Sequence, residues 1–73
     1  MNKLLEERIS ENIKTEIEQS GKTKTEIARA IGVSNATVSQ YLSGRIQPSL
    51  PTLSKLCNFL NFSADEILEI KLK

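Results

Sequence analysis

An all-α fold is predicted for this chain: five short helices closing into one domain, with helices two and three meeting at a tight turn. Three observations lead there. Apolar residues recur at intervals of three and four, the period of one helix face. Segments open on Thr or Ser, whose oxygens can accept a bond from the orphan N–H groups of a first turn. They close at Gly21, Gly32, Gly44 or Asn61, and a glycine can take the positive φ that a sharp helix exit needs.

The first helix is expected over residues 3–19, where Leu5, Ile9, Ile13 and Ile17 recur every four residues with Leu4 adjoining. Such a stripe covers either the domain's own core or a partner; core packing is the simpler reading. Ser20 and Gly21 end it. The second helix is expected over 24–31, capped by Thr23 with Glu26 at capping-box spacing, and its Ile27, Ala28 and Ile31 share a face. Gly32 stops it. The third is expected over 35–42, capped by Ser34, with Val33 and Val38 at the spacing of a hydrophobic staple. Val38, Tyr41 and Leu42 then face inward and Asn35, Ala36, Ser39 and Gln40 outward. Ala28 is small enough to let the third helix approach the second. Neither helix reaches the roughly 12–15 residues that a lone helix needs, so tertiary packing must hold both.

Ser43 to Ser49 reads as a loop, with Gly44 at a helix C-cap and Pro48 and Pro51 announcing the next start. The fourth helix is expected over 50–60, burying Leu53, Leu56, Cys57 and Leu60. A fifth is expected over 64–70, from the capping-box pair Ser63 and Glu66 and the staple pair Phe62 and Ile67. Ile70 to Lys73 alternates apolar and basic residues, as a fraying helix end, an extended tail or part of a dimer contact. There is no internal repeat, low-complexity segment or linker, so residues 1–73 are read as a single domain.

A chain of 73 residues buries only a thin core and stands a few kcal/mol above unfolding. With 38% apolar and 26% charged residues it is globular, and with three aromatic residues its core must be aliphatic. The net charge is +1, but residues 22–55 carry five basic side chains against one acidic, +4, while residues 1–21 carry −2 and 56–73 carry −1. The positive excess therefore lies on the segment holding helices two and three, as phosphate binding requires. The same charges also serve as ordinary solvated surface. The chain has no histidine and one cysteine, which removes Ser-His-Asp and Cys-His catalysis, intrachain disulfides and the common zinc sets. Cys57 reads as a small core residue, not a reactive thiol, because no activating base accompanies it. No enzyme activity, cofactor, metal or small-molecule ligand is expected. No membrane span or signal peptide is visible, so a soluble, cytoplasmic protein is the simplest reading.

Two helices at a fixed angle, the second presenting short hydrogen-bonding side chains, match the helix-turn-helix that places its second helix in the DNA major groove. The residues Thr23, Glu26-Ile27-Ala28, Ile31-Gly32-Val33-Ser34, Thr37-Val38-Ser39, Tyr41, Ser43-Gly44-Arg45, Pro48-Ser49-Leu50, Leu53, Leu56 and Asp65-Glu66-Ile67-Leu68 stand at the spacing of a known family. From about Ile13 to Leu68 the sequence resembles the phage-repressor and Cro-type, or XRE, helix-turn-helix family. The resemblance implies a five-helix, lambda-repressor-like domain. It also implies a small prokaryotic or phage transcriptional regulator, most simply a repressor, that binds double-stranded DNA in a sequence-specific way.

By the same resemblance, base edges are read from Asn35, Ala36, Ser39 and Gln40, and phosphates are held by Thr23, Lys24, Thr37, Ser43 and Arg45, with Gln47 a further candidate. Asn and Gln suit adenine and an alanine methyl suits thymine, so some A·T content is expected in the half-site. Taken singly, each of these side chains reads equally well as solvated surface. The chain departs from the family at Lys24, commonly glutamine, at Leu42, commonly a polar residue, and at Ile46, often basic. It also shows no long basic N-terminal arm. The resemblance further implies a homodimer on a near-palindromic operator, in contact through helices four and five and the tail Ile70–Lys73. The alternative is a protein-interaction module, an antitoxin or adaptor, which an apolar outer face on the third helix would favour.

Overall fold

Helices in this chain begin where a side chain stands in for a missing hydrogen-bond partner, and most end where the backbone turns left-handed. A computed structural model describes residues 4–70 and holds five α-helices in them: α1 Leu5–Gln19, α2 Lys24–Ile31, α3 Asn35–Ser43, α4 Leu50–Leu60 and α5 Ala64–Leu68. The architecture is all-α, in the expected order, with no strand among the described residues. Side-chain oxygens of Thr23, Ser34, Ser49 and Ser63 accept backbone N–H bonds at the starts of α2 to α5. At the other ends Gly32, Gly44, Asn61 and Glu69 lie at positive φ. At each, the next N–H reaches back five residues, from Val33 to Ala28 O, Arg45 to Gln40 O, Phe62 to Cys57 O and Ile70 to Asp65 O.

Three helix limits differ from expectation. Helix α1 begins at Leu5, because Leu4 is extended and donates its N–H to the Glu7 carboxylate at 3.0 Å; Lys3, placed in that helix from sequence, lies outside the described residues. Helix α3 gains Ser43, since Gly44 takes the left-handed position after it. Helix α5 stops at Leu68, two residues short of Ile70. There Glu69 leaves the helix at φ 58° and sends its carboxylate across to α1, where Arg8 Nε donates at 2.8 Å and Asn12 Nδ2 at 3.1 Å. The same Asn12 amide also donates to Ile67 O. A left-handed residue other than glycine costs roughly 1–2 kcal/mol, and these cross-helix bonds offset it. Lys71, Leu72 and Lys73 of the expected tail contact lie outside the described residues.

One aliphatic core joins all five helices: Ile13 and Ile17 of α1, Ile27, Ala28 and Ile31 of α2, Val38 and Tyr41 of α3, Leu53, Leu56 and Cys57 of α4, and Ile67 of α5. No polar or charged side chain among the described residues is buried in it. Leu42, Leu60 and Ile9 are only half-buried at its edge. The apolar stripe of α1 is thus used unevenly. Its last two turns are core, while Leu5 and Leu4 remain 46% and 66% exposed. Burial pushes the Cys57 thiol above its ordinary pKa, which suits the inert core residue expected from sequence.

The packing order explains what positions α3. Helix α2 rests on α4 and on α3, while α1 rests on α3 and α5. Helix α3 is therefore held from two sides, and its orientation is set by residues that lie mostly outside it. No helix among the described residues is long and apolar enough to cross a membrane.

Candidate nucleic-acid interface

The surface in question forms where the first turns of α2 and α3 come together. Thr23 accepts from Glu26 N at 3.1 Å, and Thr23 N donates to the Glu26 carboxylate at 2.9 Å, so the start of α2 is closed reciprocally. Hydrogen bonding to the carboxylate, from the Thr23 backbone N–H first and the Thr23 hydroxyl second, holds the Glu26 carboxyl below its ordinary pKa. At α3, Ser34 Oγ accepts from Thr37 N at 3.1 Å. Val33 is half-buried and Val38 fully buried, as a staple at this start requires. Gly32 between the two helices stands at φ 76°, a conformation an L side chain adopts only with strain.

The two starts are tied directly: Asn35 Nδ2 donates to Thr25 Oγ1 at 2.9 Å. The N-terminal ends of α2 and α3 therefore open on one patch. The partial positive charges of two helix dipoles meet there, with exposed Lys24 beside them. Sequence reasoning missed Thr25. The available signal was slight: a polar residue in the first turn of α2 that neither the capping box nor the apolar face uses.

The other residues named from sequence fall as follows. Asn35, Ala36 and Gln40 are exposed on one side of α3, and Ser39 is half-buried beside them rather than fully outside. Thr23 is exposed but occupied in its capping box. Thr37 is half-buried, with its hydroxyl 3.0 Å from Ser34 Oγ. Ser43 is exposed and donates to Gln40 O of its own helix. Lys24 and Arg45 are exposed. Gln47 turns to α1, donating to Glu6 O at 2.7 Å and Ser10 Oγ at 3.1 Å. It fastens the α3–α4 loop to α1 while remaining exposed. Beside it, Leu42 and Ile46 line an open groove with Glu6, Glu7, Glu11 and Arg45.

In chemical terms the patch offers amide and hydroxyl hydrogen bonds, two helix N-termini and flexible cations. Lys22, Lys24, Arg29, Arg45 and Lys55 are all exposed. Lys22 also lies 5.5 Å from the centroid of the Phe59 ring, a cation–π distance. Among the described residues no His, Cys, Asp or Glu grouping could hold a metal ion. This is equipment for gripping a polyanion and sensing hydrogen-bonding edges.

A family model described as helix-turn-helix matches residues 13–67, from the middle of α1 to the last turn of α5. Neither a search of curated proteins nor one of solved structures returned a match.

Proposed function

Since the chain belongs to the XRE-type helix-turn-helix family of DNA-binding regulators, we propose that it is a sequence-specific transcriptional regulator, most simply a repressor, that lays α3 in the major groove. One observation carries this reading: the outer face of α3 holds Asn35, Ala36 and Gln40, exposed and hydrogen-bonding but for one methyl, directly beside the basic start of α2. A docking face for a protein partner would be apolar there, and this one is not. Repression follows because occupancy of a promoter excludes polymerase without any further domain.

The roles are assigned on that basis. Asn35, Ala36, Ser39 and Gln40 face bases, with Ser39 reaching from a half-buried position. Lys24 and Arg45 face phosphates, with Thr23, Thr37 and Ser43 along the same edge. Arg45 shares its groove with three carboxylates and one further cation, Lys14; the excess of carboxylates reduces its attraction for phosphate, so Lys24 contributes more. Gln40→Ala is expected to relax preference at one base pair by about 1–3 kcal/mol; an equal loss on every duplex would remove the role. Lys24→Ala is expected to weaken binding evenly on all sequences and to shrink the salt slope by about one. An unchanged slope in a salt titration would rule the contact out.

A single module buries only roughly 600–1,000 Å² of its own surface on DNA, so specific affinity calls for two copies on half-sites about 34 Å apart. The exposed apolar residues at the α4–α5 side, Phe59 and Ile70, support a homodimer through that region on a near-palindromic operator. Selection from a random duplex pool at two salt concentrations tests the whole reading. An enriched palindrome is expected. Salt-sensitive binding without a motif, or a monomer on DNA by sedimentation, would count against it.

A further inference from the structure

The hydrogen bond between Asn35 and Thr25 fixes more than the meeting of two helices. A carboxamide carries two N–H donors on nitrogen and one acceptor oxygen. Asn35 donates through Nδ2 to Thr25 Oγ1 at 2.9 Å, so one of the two donors is spent inside the protein. What remains at the tip of Asn35 is a single donor beside a single acceptor. Of the four major-groove base edges, only adenine sets an acceptor, N7, next to a donor, the N6 amino group. Guanine sets two acceptors, N7 and O6, side by side, and an amide bridging them needs both N–H groups. Cytosine offers a donor alone, and thymine an acceptor flanked by a methyl.

We propose that Thr25 is a specificity-determining positioning residue: by holding one N–H of Asn35 it biases that side chain toward adenine and against guanine. This rests on the reading of α3 as the base-reading helix. Thr25 suits the role because it stands still. It lies in the first turn of α2, where the Thr23–Glu26 capping box fixes the helix start and Ile27, two residues on, is fully buried. Thr25 and Asn35 are themselves exposed, so neither belongs to the core and both can be changed without threatening the fold.

Duplex selection with four proteins tests the inference: wild type, Asn35→Ala, Thr25→Val and Thr25→Ser. Asn35→Ala identifies the base pair that Asn35 reads, as the pair at which preference disappears. At that pair wild type is expected to favour adenine, and Thr25→Val, which keeps the branched shape but loses the hydroxyl, is expected to lower the adenine-over-guanine ratio roughly five- to tenfold. Thr25→Ser is expected to keep the ratio. In the free protein, the side-chain amide resonances of Asn35 should move in Thr25→Val and not in Thr25→Ser. If Asn35→Ala erases preference at one pair while Thr25→Val leaves adenine over guanine intact, the inference fails and the reading of α3 stands. A wild-type preference for guanine at that pair also overturns it. If Asn35→Ala changes no pair at all, the base-reading role of Asn35 falls, and the inference with it.

Discussion

Replacing Leu56 with alanine is expected to cost about 2–5 kcal/mol of folding stability and to lower Tm by roughly 10–30 °C. Leu56 is fully buried at the centre of the α4 face, and α4 in turn supports α2 and α5. The alanine loses the transfer free energy of the leucine side chain and leaves a cavity that a close-packed interior fills only in part. A domain of 73 residues has about 4–11 kcal/mol in all, so one such cavity removes a large share. Leu50→Ala in the same helix is the control. Leu50 is 74% exposed, and its loss should stay within about 0.5 kcal/mol. Thermal melts of the two variants decide the matter, and equal shifts would show that burial is not what distinguishes the two leucines. Well below its midpoint, Leu56→Ala should still bind DNA with unchanged sequence preference, because α4 packs chiefly on α2 and α5 and carries none of the residues assigned to the DNA interface.

The parts of this molecule legible in the sequence are those decided within a few residues. The starts of α2, α3 and α5 were readable because Thr23, Ser34 and Ser63 act on backbone groups two or three positions away; that of α4 was marked by Pro48 and Pro51, while its Ser49 cap emerges only in the structure. The stops at Gly32 and Gly44 were readable because a glycine in that pattern has a local conformational reason. What failed was decided at a distance. The end of α5 depends on Arg8 and Asn12, which lie on the first helix and draw Glu69 out of helical geometry. Gln47 looked outward in sequence, yet it bonds to Ser10 across 37 positions. The α1 stripe looked uniform because periodicity reports which side a residue is on, not whether anything covers it; Leu4 is left 66% exposed. The candidate site divides in the same way. The period of one helix placed Asn35 and Gln40 on its outer face, and the resemblance to the helix-turn-helix family marked that face as the candidate. Thr25 could not be named in that way, since its contact with Asn35 exists only at the particular angle between α2 and α3.

That angle is the object of the second large expectation. Ala28→Leu should cost about 1–3 kcal/mol of stability through overpacking, and should damage specific DNA binding well beyond what that loss explains. Ala28 is only 4% exposed, lies on the face of α2 that enters the common core, and has its carbonyl oxygen occupied by the N–H groups of Gly32 and Val33 in the turn leading to α3. A leucine there brings three more heavy atoms into a region with no room for them. The cheapest relief is for α3 to move, since the reciprocal cap at Thr23 and the buried Ile27 and Ile31 hold α2 in place. A shift of α3 breaks the Asn35–Thr25 bond and carries Gln40 away from any edge it was placed to read. Lys24 and the start of α2 remain, so the attraction for phosphate survives. The expected signature is therefore a split. Affinity for the selected operator should fall at least about tenfold, roughly the 1.4 kcal/mol of one lost base contact. Affinity for a scrambled duplex, and its salt slope, should barely change. Ala30→Leu, an exposed position on the same helix, should leave both untouched. If Ala28→Leu weakens operator and scrambled duplex alike, its effect is loss of folded protein, and the small side chain at position 28 serves packing alone rather than the aim of α3.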